Sequence, residues 1–182
     1  MPLADPTAAA AGLVATVNDN SVSYDLVLLA HVLTAVVGLV AVVAAGGFAL
    51  ALRNALRRGG PVPEPVVRYY RPGVNWVGRV LFTVPVLGIA LVAMSGGEWS
   101  WSDTWVSMGM GVWAVVAVAA EAVLWPGERH LQAVVSDRSG ATPDDDPARP
   151  GEDTAACLQA GLVGLGLGVA LVVVGVLMVA KP

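Results

Sequence analysis

The sequence predicts an all-α fold: a four-helix antiparallel bundle that crosses a membrane, with both termini extracytoplasmic. Three observations carry this expectation. Of 182 residues, 56% are hydrophobic and only 13% charged, where a water-soluble domain carries about 25% charge, and the mean hydropathy is +0.70. Four apolar runs, residues 24–52, 76–95, 104–125 and 155–180, match the roughly 20 residues a helix needs to cross about 30 Å of hydrocarbon. None shows polar alternation, and in lipid every backbone group must be satisfied within the segment, which leaves helices. The net charge of −4 offers no surface for nucleic acid. A single cysteine, Cys157, excludes an internal disulfide framework and a cysteine-rich metal site.

The elements follow in order. Residues 1–23 read as a disordered or surface-lying tail, with Asp5 where a cleavable secretion signal has basic residues. In the first span His31, Ala35, Gly38, Val42, Ala45 and Ala49 recur at steps of three and four, giving one narrow face that another helix can approach closely. The loop after it holds four prolines around residues 66–71. Prolines exclude a long helix, so an extended segment with a short Arg- and Tyr-containing piece on the inner headgroups is expected.

The second span opens at Trp76 and carries Arg79. Residues 96–103 are short enough to force the second and third spans together as antiparallel neighbours. In the third span Met110, Ala114, Ala117 and Glu121 share a face, and Trp125 marks the inner boundary. About residues 137–154 are rich in Asp, Pro and Gly and read as a disordered cytoplasmic linker. His130, beside Glu128 and Arg129, reads as a solvated surface residue. The fourth span places Gly161, Gly164, Gly168 and Gly175 along one stripe.

Arginines set the expected orientation. Arg53, Arg57, Arg58, Arg68, Arg71, Arg129, Arg138 and Arg149 flank the two longer loops, against Lys181 alone on the other side. Both longer loops therefore belong in the cytoplasm of a bacterium, with the chain in its plasma membrane.

Charged groups inside a span call for a partner. Arg79 and Glu121 lie three and four residues inside the boundary tryptophans, at matching depth on adjacent spans, and an ion pair between them is expected. His31 lies at the opposite end. It has two readings: a ligand for haem b or copper, with Met110 and Met178 at similar depth, or a neutral interhelical hydrogen-bond donor with the methionines filling gaps. The second is favoured, because one histidine supplies one strong ligand and no carboxylate is evident to fix its tautomer.

The segments DLVLLAHVLTAVVGLVAVVAAGGFALALR (25–53), WVGRVLFTVPVLGIALVAMSG (76–96) and WPGERHL (125–131) resemble a bacterial family of integral-membrane proteins whose domain has no known function. The resemblance rests on the early His31, the Gly78-Arg79 entry to the second span and the Pro85-x-x-Gly88 within it, and implies fold and location but no activity. The chain is more distantly similar to the haem-binding, four-helix membrane protoporphyrinogen oxidases, a likeness that implies His31 as a ligand. No catalytic constellation is visible: Ser95, Ser100, Ser102 and Ser107 lack a base in reach except His31. The expected function is a non-enzymatic structural or accessory subunit, packing through Gly and Ala faces in a homo-oligomer or a larger membrane complex such as a respiratory one. The alternative is a haem or copper protein in electron transfer or metal handling.

Overall fold

The computed structural model describes the backbone of residues 6–140 and 150–180 and the side chains of residues 21–138 and 151–180. It is all-helical over those residues, with four helices long and apolar enough to cross a membrane. Helix α1 (Pro6–Arg58) runs back through residues the sequence reading had set apart as a tail. Next come α2 (Glu64–Tyr69) and α3 (Trp76–Arg79), which passes through a 3-10 turn (Val80–Phe82) into α4 (Thr83–Met94). Helix α5 (Thr104–Ala119) passes through a π-helical turn (Ala120–Leu124) into α6 (Trp125–Gly140), and α7 (Pro150–Ala180) completes the fold. Of the expected linker, residues 141–149 lie outside the described residues; the stretch before them is helical.

Local chemistry explains the breaks. Helix α1 stops at Gly59, whose φ of 61° suits glycine. There Gly59 N–H donates to the Leu56 carbonyl and Gly60 N–H to that of Ala55, the paired bonds of a Schellman cap. Pro85 and Pro126 each lack the N–H that would reach back four residues. The 3-10 turn precedes Pro85 and the π turn precedes Pro126, where one wide turn accommodates the ring.

Helix α1 is central and packs most extensively on α7, with α4 on α1 and α5 on α7. A Cβ built on Gly164 would lie 2.8 Å from Gly46 Cα, and one on Gly46 2.9 Å from Leu165 N, so the two helices cross backbone against backbone. Leu50 covers Gly161 and Val43 covers Gly168 on either side of the crossing. The predicted α1 face is the buried one, with Val42, Ala45 and Ala49 in the core. Gly161, Gly164 and Gly168 meet α1 as well, whereas Gly175 has nothing within 4 Å of a built Cβ and faces outward. The stripe continues past the point where α1 and α7 touch.

The third-span face is rotated from the expected one. Val106, Gly109, Val116, Ala117, Ala120 and Leu124 are buried, while Ala114 and Glu121 are exposed. Leu81, Val116, Val42 and Leu167 join Trp125 in the central apolar cluster.

A second cluster lies beyond it, at the arginine-rich end. Leu52, Leu56, Leu131, Val135, Cys157 and Ala160 form an apolar groove that α2 closes with Val66 and Tyr70, both 2% exposed. The proline-bounded piece is therefore packed into the bundle end, because α1, α6 and α7 all continue past their apolar runs and present apolar side chains there.

Candidate functional site

The most elaborate polar chemistry sits where α2, α3 and α6 meet. Asn75, at the N-cap of α3, accepts from Gly78 N–H at 3.3 Å through Oδ1. Through Nδ2 it donates to Glu128 Oε1 at 3.0 Å and to the Tyr69 hydroxyl at 3.1 Å. Tyr69 stacks on Phe48 at 4.4 Å between ring centroids and meets Tyr70 edge-on. Glu128 is buried, 8% exposed. A buried carboxylate is tolerated when its oxygens are hydrogen-bonded, and Asn75 supplies that bond while starting a helix.

Burial holds both phenols above the ordinary tyrosine range, with the Glu128 carboxylate adding to the effect on each; at Tyr69 the Asn75 hydrogen bond opposes it, and at Tyr70 the neighbouring Tyr69 and Cys157 add to it. A phenol with a raised folded-state pKa contributes stability in full below the free-tyrosine value of about 10 and loses it as pH climbs above that. In an alkaline titration the phenolate absorbance of these two tyrosines, isolated by difference from Tyr69→Phe and Tyr70→Phe, is expected to appear only together with loss of helical circular dichroism. Ionisation ahead of unfolding would show that the groove is open to water.

The expected ion pair is not formed. The Arg79 guanidinium lies over the Trp125 ring, 4.7 Å from its centroid, a cation–π contact, and Trp125 itself is buried against Phe82 and Gly78. Glu121 is exposed: the π turn ahead of Pro126 buries Ala120 and Leu124 and leaves Glu121 on the outer side. A double-mutant cycle on Arg79→Ala and Glu121→Ala is therefore expected to give a coupling below about 0.5 kcal/mol, the additivity limit for independent sites. A larger favourable coupling would restore the pair.

Further along the second span His31 and Trp113 both bond to its backbone. His31 Nδ1–H donates to the Val84 carbonyl at 2.9 Å, and the ring lies against Gly88. A carbonyl only accepts, so Nδ1 carries the proton and Nε2 keeps its lone pair. The Trp113 indole N–H donates to the Leu81 carbonyl at 3.2 Å, the one Pro85 deprives of its helical donor. His31 thus belongs to the α1–α4 contact. Met178 packs on Gly109 in the α5–α7 contact, and Met110 is half-buried on α5. Among the described residues no group of three His, Cys, Asp or Glu is placed to hold a metal ion.

His130 is not simply solvated: its Nε2 lies 3.4 Å from Asp153 Oδ1, linking α6 to the first turn of α7. Sequence reasoning missed Glu128 and Asn75. Their signal was present, since Asn immediately before an apolar helix is a strong N-cap and Pro126 announces a helix that continues past the boundary tryptophan.

No family model, curated protein or solved structure matches this chain.

Proposed function

We propose that the chain is a non-enzymatic, multi-pass protein of a bacterial plasma membrane, acting as a structural or accessory subunit in a homo-oligomer or a larger membrane complex such as a respiratory one. Its four spans form an antiparallel bundle with both termini outside. The falling residue numbers on α1 against rising ones on α7 along their contact support the antiparallel arrangement, and the arginines at one end support the orientation.

The observation that carries the structural reading is the use of His31 and Trp113. These polar side chains within the spans both direct their N–H groups to carbonyls of the second span, where they tie helices together. Burial supports the subunit reading: only 17–28% of the residues in each span's most apolar window are fully buried inside the protein, and the others keep surface that lipid or neighbouring subunits can cover. The glycines of α7 that pack do so within the chain, so a partner would meet other faces.

One observation favours the second reading, a haem or copper protein. The Nδ1–H bond to Val84 orients the His31 ring and leaves Nε2 free, as outer contacts of ligating histidines do. The deciding experiment is a visible spectrum with iron and copper analysis on protein purified in mild detergent from its native membrane. A colourless, metal-free sample, in which His31→Ala costs about 0.6 to 2 kcal/mol of stability, is expected. A Soret band or stoichiometric metal that His31→Ala abolishes would overturn the structural reading in favour of the second.

A further inference from the structure

Arg53 stands in the last turns of α1, between the fully buried Leu52 and the buried Leu56, and is itself half-buried. Its Nε is shielded from solvent and has no hydrogen-bond partner. A buried charged donor left unbonded is costly, and because Arg53 as a whole is only half-buried, an acceptor from outside the chain would engage the part of the guanidinium that is not shielded. Arg57 and Arg58 are exposed one turn further on. The nearby acid, Asp153, is engaged by His130.

Depth identifies the acceptor. Ala45 shares a core with Trp125, and Arg53 lies eight residues further along α1, about 12 Å at the helical rise. Side chains on a helix tilt toward its N-terminus, which for Arg53 is back toward the bilayer. The guanidinium therefore reaches into the headgroup layer, where phosphates lie.

We propose that Arg53, with Arg57 one turn along the same helix, forms a binding site for a phosphate oxyanion, and that the phosphodiester of an anionic lipid headgroup in the adjoining leaflet fills it. A guanidinium presents its donors in a fork that matches phosphate oxygens, which an ammonium does not. The lipid assignment rests on the membrane-spanning reading; the oxyanion site does not.

The test is native mass spectrometry of the full chain released from detergent micelles doped with phosphatidylglycerol or phosphatidylcholine, with inorganic phosphate as a third arm. Selective retention of phosphatidylglycerol is expected, falling about fivefold in Arg53→Gln and unchanged in Arg129→Gln, an exposed arginine of α6. Retention of inorganic phosphate in its place, with the same dependence on Arg53, would support the oxyanion site and overturn the lipid source. Equal retention of both lipids without phosphate binding, or undiminished selectivity in Arg53→Gln, would overturn the site. Should Arg53→Gln fail to fold by circular dichroism, Arg53→Lys keeps the charge but lacks the planar fork of donors. Reduced selectivity there supports the proposal and full selectivity overturns it.

Discussion

Replacing Gly164 by alanine is expected to cost about 1 to 3 kcal/mol, and by valine more, in unfolding from mild detergent. The reason is what the new Cβ would meet: Gly46 Cα and N at 2.8 Å and the Val42 carbonyl at 3.0 Å. All three are backbone, so no side-chain rotation relieves the overlap and α1 must move away from α7. Gly46→Ala is expected to behave alike, since its Cβ would meet Leu165 N at 2.9 Å and Gly161 O at 3.0 Å. At Gly161 and Gly168 the nearest obstacles are Leu50 Cδ2 and Val43 Cγ2, side-chain atoms that can shift, so alanine there should cost less. Gly166 and Gly175 have open space. At these two, alanine should be neutral or stabilising by up to about 1 kcal/mol through helix propensity. A series in which Gly175→Ala hurts as much as Gly164→Ala would show that another surface, and not this crossing, governs stability.

That ranking separates what the sequence discloses from what it does not. The stripe of small residues from Ala35 to Ala49 and the glycines of α7 are periodic signals, and periodicity reports a face. It does not report where the face ends, which is why Gly175 was grouped with three glycines it does not resemble. Nor does it report the partner: Gly46 sits one position off the α1 stripe, yet the backbones touch there. The four spans were legible because length and apolarity decide them. The polar network was not, because it depends on two helices continuing past their apolar runs, α1 to Arg58 and α6 beyond Trp125. Apolarity marks the membrane, and a helix can pass out of it intact. The misplaced Arg79 to Glu121 pair has the same origin. Depth counted at a constant rise per residue contains no angular position, and Glu121 stands on the exposed side of the π turn that precedes Pro126.

The polar network itself should be cooperative. Asn75→Ala is expected to lower stability by about 2 to 4 kcal/mol, the sum of a lost N-cap and a lost hydrogen bond to a buried carboxylate. One side chain serves three groups here, capping Gly78 N–H while bonding Glu128 and Tyr69. Removing it therefore loosens the start of α3, leaves the Glu128 oxygen short of a donor and removes a donor from the Tyr69 hydroxyl. The consequence is non-additivity. In Glu128→Leu the carboxylate is gone, and the later loss of Asn75 should cost only its cap and its bond to Tyr69, about 1 to 2 kcal/mol. The double variant should then be more stable than the sum of the single changes predicts, by about 1 to 3 kcal/mol. Strict additivity would mean that Glu128 draws its stabilisation from another donor, such as the Tyr69 hydroxyl, and not from Asn75. Substituting Asn75 by Asp tests the same geometry from the other side. Aspartate can still cap Gly78, but it brings a second anion toward Glu128, so it should be worse than alanine at neutral pH and recover as acid protonates one of the two carboxylates.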